Sequence, residues 1–120
     1  MHILIVDDSK AMRMIVRRTL RLAGYHVEVK EACSGAEALQ AIQSAPVDLI
    51  LCDWNMPGMN GLELLQQLQQ SGKKMKFGFV TSESSEDMRN AARDAGALFL
   101  ITKPFTADGF RTVLQPFLGS

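Results

Sequence analysis

Asp7 with Asp8, Asp53, Thr81 and Lys103 each follow closely on a short apolar run. The runs are Ile3-Leu4-Ile5-Val6, Leu49-Ile50-Leu51-Cys52, Phe77-Gly78-Phe79-Val80 and Leu98-Phe99-Leu100-Ile101. If these runs are parallel strands of one sheet, three acids, a hydroxyl and an amine meet at one of its edges. Carboxylates that close repel one another, and without a counter-charge at least one must hold its proton to higher pH. A divalent cation removes the difficulty. Oxygen donors suit Mg²⁺, a hard ion that favours octahedral geometry and keeps some of its waters. No His or Cys stands at metal-ligand spacing with the acids, which argues against zinc or copper. Lys103 adds a point charge able to pair with a carboxylate or hold a phosphoryl oxygen, and Thr81 adds a short hydroxyl donor. Such parts bind a trigonal phosphoryl group in line between a carboxylate nucleophile and a leaving oxygen.

The segment Asp53-Trp54-Asn55-Met56-Pro57-Gly58-Met59-Asn60-Gly61 favours Asp53 as that nucleophile. Pro57-Gly58 suits a type II turn, so the loop leaves its strand sharply and exposes Asp53 beside backbone carbonyls within reach of a metal. An isolated loop Asp is as readily a solvated acid or a cap. The acid pair, Thr81 and Lys103 at neighbouring strand ends weigh against that reading here.

Positioning these residues requires regular punctuation, and the chain has it. Helical patterns end at Gly24, Gly72 and Gly96, each followed by a strand pattern, as expected of glycine in the left-handed position past a helix. Ser34 with Glu37, and Asn60 with Glu63, have capping-box spacing. Ser85 and Thr106 suit the N-caps of the last two helices. The first helix, about 10–23, places Met12, Ile15, Val16, Leu20 and Ala23 on one side and Arg13, Arg17 and Arg21 in a solvated stripe on another. The fourth, about 86–95, offers only Met88, Ala91, Ala92 and Ala95 to the sheet. Segments 3–6, 49–52 and 77–80 are apolar almost throughout, as strands covered on both faces should be. Segment 25–31 alternates and reads as an edge strand. The fold expected is α/β: a doubly wound, flavodoxin-like parallel sheet of five strands with five helices, order 2-1-3-4-5. Ligands of such sheets bind beyond the carboxyl ends of the strands, where the first and third strands diverge. The Asp pair and Asp53 end those two strands.

Bulk properties agree. A chain of 120 residues, 47% hydrophobic and 22% charged, is enough for one globular domain over residues 1–120. Thirteen basic residues balance thirteen acidic ones, which argues against a nucleic-acid surface. No apolar run approaches the roughly 20 residues of a membrane span, and the chain enters a strand without a signal-peptide pattern. Cys33 and Cys52 are expected to be small reduced core residues, which suits a cytoplasmic protein.

Taken together, Val6-Asp7-Asp8-Ser9, Asp53-Trp54-Asn55-Met56-Pro57-Gly58, Thr81-Ser82-Glu83 and Lys103-Pro104-Phe105 resemble the response-regulator receiver family, its chemotaxis members in particular. The resemblance covers residues 1 to about 118. It implies a two-component switch whose Asp53 accepts a phosphoryl group from the phosphohistidine of a sensor histidine kinase or phosphotransfer domain. It also implies Mg²⁺, or Mn²⁺ in its place, on Asp8, Asp53 and the Asn55 carbonyl, with Asp7 acting through water. Thr81 and Lys103 would contact the phosphoryl group, with Ser82 beside them. Asn55 and Glu83 would tune its hydrolysis towards a short-lived phosphoprotein. The implied output is a protein target on the face made by the fourth helix, last strand and last helix (Arg89, Arg93, Leu100, Arg111), with the molecule a monomer. The family commonly has a cis peptide before the proline that follows the lysine, here Pro104. One position departs: three residues before the lysine the family usually has Tyr or Phe as a rotamer switch, and here stands Leu100. Phe99 cannot replace it, because successive strand residues face opposite sides. The competing readings are a haloacid-dehalogenase-like phosphatase, which also forms an aspartyl phosphate but from Asp-x-Asp after its first strand, and a nucleotide-binding module, for which no glycine-rich phosphate loop is present.

Overall fold

The computed structural model describes residues 1–73 and 75–118. In chain order its elements are β1 (His2–Val6), α1 (Lys10–Leu22), β2 (Glu28–Ala32), α2 (Gly35–Ser44), β3 (Leu49–Cys52), α3 (Gly61–Gln70), β4 (Lys76–Thr81), α4 (Glu86–Asp94), β5 (Phe99–Thr102) and α5 (Ala107–Leu118). All strands pair in parallel, in the order β2-β1-β3-β4-β5. The expected fold class and order are those observed.

Alternation along the central strands divides the core into two layers. Leu4, Val6, Ile50, Cys52, Phe77 and Phe79 face α2, α3 and α4 through Ala38, Ile42, Leu64, Leu68 and Ala92. Ile3, Ile5, Leu49, Leu51, Val80 and Ile101 face α1 and α5 through Val16, Leu20, Phe110 and Leu114. This is why the interior positions of the central strands are apolar: there neither face meets water.

Helix ends follow the side-chain chemistry closely. Ser85 Oγ accepts from the Met88 N–H and Thr106 Oγ1 from the Gly109 N–H. Asn60 and Glu63 form a complete capping box. At α2 the box is half made: Ser34 accepts from the Glu37 N–H, but Glu37 reaches back to the N–H and thiol of Cys33 instead of Ser34. Gly24, Gly72 and Gly96 all have positive φ, as helix-terminating glycines should.

Five local expectations need correction. The second strand begins at Glu28 instead of Tyr25, because the Tyr25 N–H turns back to the Leu20 carbonyl and Tyr25 and Val27 pack into the core. Ile15 is 48% exposed; the buried stripe of α1 is Val16, Thr19, Leu20 and Ala23, and Ile15 falls outside that i, i+3, i+4, i+7 series. Cys33 is exposed and only Cys52 is buried, since Cys33 stands where β2 gives way to the α2 cap. Leu98 is exposed and precedes β5. From sequence, Lys73, Lys74 and Lys76 form a short basic run that reads as a loop after the third helix; Lys74 lies outside the described residues, and Lys76 opens β4 and donates to the Phe117 carbonyl at 2.6 Å.

Candidate functional site

Ladder hydrogen bonds continue past the strand ends and set the site residues level with one another. The Asp7 N–H donates to the Ala32 carbonyl, the Asp53 N–H to Val6, and the Lys103 N–H to Thr81, at 3.1, 2.9 and 2.8 Å. Each strand therefore delivers its polar residue at the same height above the sheet. The Lys103-Pro104 peptide is cis, in agreement with the expectation.

Carboxylate oxygens of Asp7, Asp8 and Asp53 lie within 4.8 Å of one another. Asp7 and Asp53 are buried, and Asp8 is exposed. The Lys103 ammonium spans the two buried acids, 3.3 Å from Asp7 Oδ2 and 3.6 Å from Asp53 Oδ1. Its closer partner is Asp7, whose other oxygen accepts the Ser9 N–H at 2.9 Å. Ser9 also caps α1, its Oγ accepting from the Met12 N–H. Asp7 is thus engaged on both oxygens, while the Asp8 carboxylate has no hydrogen-bond partner among the described residues. Burial pushes the Asp53 carboxyl above the ordinary Asp value; Lys103 opposes this, Asp7 adds to it, and the Trp54 and Asn55 N–H groups offset part of the rise. Thr81 Oγ1 is fully buried and makes no hydrogen bond among the described residues, a state that costs about 1–3 kcal/mol for a hydroxyl. A group that accepts a bond from it is therefore favoured at this spot.

Around this centre, Trp54 packs on Phe79 with ring centroids 4.7 Å apart and forms a half-buried wall. Asn55, Ser82 and Glu83 are exposed at the rim, on the loops that leave β3 and β4. Leu100 is half-buried on the α2–α4 side of the sheet, whereas Phe99 lies on the opposite side against Phe117, at 5.6 Å. No aromatic side chain takes the switch position from the neighbouring residue. Arg111 is corrected: its Nε donates to the Ala23 carbonyl at the end of α1, so it belongs to the α1–α5 seam and not to the α4–β5–α5 face. Arg13 is corrected too. Instead of lying in a solvated stripe, it donates to Glu31 and to the Asp7 carbonyl. Ser9, Arg13 and Glu31 escaped the sequence reading as supports of the site. The one available signal was Ser9 at N-cap spacing before the first helix.

The net rise at Asp53 has a measurable consequence. An acid whose folded pKa is raised makes the folded state bind the extra proton, so stability falls as pH rises through the window above 3.8, the ordinary Asp value. Asp53→Asn removes that loss. Without divalent cation the variant is expected to be more stable than wild type in urea melts at pH 7, the gain disappearing as pH drops below the ordinary Asp range. A gain unchanged by pH would show a cause other than the buried charge.

Residues 3–115 match the family model of the response regulator receiver domain. This chain belongs to that family. Among its relatives, the chemotaxis protein CheY of Pseudomonas aeruginosa is 39% identical over 117 residues, covering 96% of this chain and 94% of its own. CheY-3 of Vibrio cholerae is 38% identical over 109 residues, covering 89% and 83%. Among solved structures, CheY4 of Vibrio cholerae superposes with a TM-score of 0.86 at 36% identity over 98% of both chains. The receiver domain is thus a CheY-like response regulator of two-component signalling, and the phosphatase and nucleotide-module readings fall away. No helix of the described residues is long and apolar enough to cross a membrane.

Proposed function

We propose that this receiver domain is a phosphoacceptor switch that takes a phosphoryl group from the phosphohistidine of a sensor kinase or phosphotransfer domain onto Asp53, as one domain over residues 1–120. The observation that carries the reading is the arrangement of Asp7, Asp8 and Asp53 within 4.8 Å beneath a single ammonium. An oxygen of Asp53 forms the new bond to phosphorus. The bond from phosphorus to the imidazole nitrogen breaks, and its electron pair returns to the ring. The three acids offer only oxygen donors, of which Asp8 is uncommitted, a set that fits a hard divalent ion. Asp8, Asp53 and the Asn55 carbonyl would hold Mg²⁺, with Asp7 reaching it through water. When bound, the ion neutralises charge that develops on the transferring oxygens.

The chain's own residues do the rest. Lys103 is placed to exchange part of its hold on Asp7 for a phosphoryl oxygen. Thr81 Oγ1, without a partner in the structure, gains one by donating to another. Asn55 and Glu83 at the rim govern the approach of the water that later attacks phosphorus and restores the Asp53 carboxylate. The names of its relatives point to a role in chemotaxis, with the protein acting as a monomer through the α4–β5–α5 face, where Arg89, Arg93 and Leu100 stand. No external metabolite is consumed in such a role.

The test treats wild type and Asp53→Asn with acetyl phosphate and Mg²⁺, then reads intact mass and Trp54 fluorescence. Wild type is expected to gain one phosphoryl group and lose it within minutes of donor removal; Asp53→Asn gains none. Phosphorylation that survives in the variant, or none in wild type, overturns the assignment. A phosphorylated half-life of many hours contradicts the role given to Asn55 and Glu83.

A further inference from the structure

Asp8 is the exposed acid of the cluster, yet its carboxylate stays within 4.8 Å of the other two without a hydrogen bond of its own among the described residues. Its position must therefore come from the backbone. The Asp7 carbonyl and the Asp8 N–H share one rigid peptide plane, and Arg13 Nη1 donates to that carbonyl at 2.6 Å. Charge assistance makes such a bond roughly twice as strong as a neutral one. The guanidinium is itself fixed. Its Nε donates to Glu31 Oε1 at 2.9 Å, and the other Glu31 oxygen accepts from Arg17 at 3.0 Å. The Arg13 side chain is only 14% exposed, so these bonds compete little with water. On its other side Asp7 is held by its N–H to Ala32 and its carboxylate to Ser9. The plane that carries Asp8 is fixed by Arg13.

We propose that Arg13, oriented by Glu31, is a positioning residue for the divalent-cation site: it holds the Asp7–Asp8 peptide so that Asp8 joins the other two acids. This rests on the reading of the three acids as a Mg²⁺ site. Charge alone predicts the opposite of what positioning predicts. Removing a cation beside an acid cluster strengthens cation binding, whereas loss of a support behind a ligand weakens it by about 10- to 100-fold. The sign of the change therefore separates the two.

The experiment titrates Mg²⁺ into wild type, Arg13→Gln and Arg17→Gln, following Trp54 fluorescence and the heat of binding, with urea melts of the metal-free proteins alongside. Arg17 shares Glu31 but, among the described residues, donates to Glu31 and not to Asp7, so it controls for charge. The expected result is about a tenfold rise in Kd for Arg13→Gln, with Arg17→Gln within about twofold of wild type or tighter. Affinity in Arg13→Gln equal to or tighter than wild type overturns the proposal, as does equal weakening in Arg17→Gln. If Arg13→Gln does not fold, Arg13→Lys replaces it. Lysine keeps the charge and stem but loses the fork that joins two acceptors, so several-fold weaker binding supports the proposal and unchanged binding overturns it. Wild type that binds no Mg²⁺ removes the metal site itself, and the role of Arg13 with it.

Discussion

Lys103→Met is expected to lower the stability of the metal-free protein at pH 7 by about 3 kcal/mol, the low end for breaking one side of a buried ion pair. The low end applies because the Lys103 side chain is 17% exposed and partly solvated. Methionine keeps most of the stem, so the loss isolates the charge. Without the ammonium, Asp7 and Asp53 face each other at the sheet edge with no other cation paired to either carboxylate among the described residues. Of the influences on Asp53, the leading one that lowers its pKa is removed, while burial and Asp7, which raise it, remain. Its folded pKa therefore moves further above the unfolded value, and stability falls more steeply as pH rises through that interval. Two consequences distinguish this from lost packing. The deficit shrinks as pH is lowered towards the ordinary carboxylate range, where the acids become neutral. Saturating Mg²⁺, by supplying a counter-charge to the folded state alone, raises the melting temperature of the variant more than that of wild type. Urea melts at pH 7 and pH 5, with and without Mg²⁺, measure both. A deficit indifferent to pH and metal means that the stem, not the charge, supports the site.

That balance was legible in the sequence because it depends on strand ends, and strand ends are marked by composition. Four apolar runs, each closed by a polar residue, place Asp7, Asp53, Thr81 and Lys103 without knowledge of any side-chain contact. The alternation of segment 25–31, and the absence of alternation in its neighbours, also sufficed to put the second strand at an edge. What the pattern does not report is who stands across from whom. Arg13, Arg17 and Arg21 recur every fourth residue and share a helix face, but Glu31 at the end of β2 and the Asp7 carbonyl draw the first of them inward. Arg111 has the spacing of an exposed residue on the last helix, yet it reaches the orphan Ala23 carbonyl at the end of α1. Cys33 looks like a small core residue until α2 is seen to need its N–H and thiol beside Glu37. All three are polar contacts that satisfy a backbone or carboxylate group left over by secondary structure, two of them reaching other elements and the third, at Cys33, only four residues along the chain. Such contacts obey accounting of donors and acceptors, and no periodicity encodes them.

Two glycines that follow Asp53, one in its loop and one opening α3, show how differently the same substitution can act. Gly61→Ala is expected to destabilise by about 3 kcal/mol, the upper part of the range for an overpacked core position. Gly61 is buried as the first residue of α3, and its N–H donates to the Trp54 carbonyl at 2.9 Å. A Cβ there would strike the Asp53 carbonyl oxygen and approach Phe79 Cε1 to 2.9 Å and Trp54 Cα to 3.1 Å. Two of these three neighbours are backbone. The third is a ring held between Phe77 and Trp54, at 5.1 and 4.7 Å. None can yield without moving either α3 or the end of β3, which carries Asp53. Gly58→Ala meets no atom within 4 Å, but Gly58 has φ +74°, so its cost is conformational, about 1–2 kcal/mol. Asparagine tolerates that backbone region, so Gly58→Asn is expected to recover much of the loss, whereas Gly61→Ser recovers nothing because its Cβ meets the same atoms. Urea melts of the four variants, with Trp54 emission read in the native baseline, test this. Only the Gly61 variants should shift that emission, since only they press on the Trp54 backbone and the ring it packs against. Gly61→Ala within about 1 kcal/mol of wild type, below the ordinary cost of overpacking, would mean that α3 can back away from Asp53 freely. The close seat of the helix on β3 would then contribute nothing to holding the site.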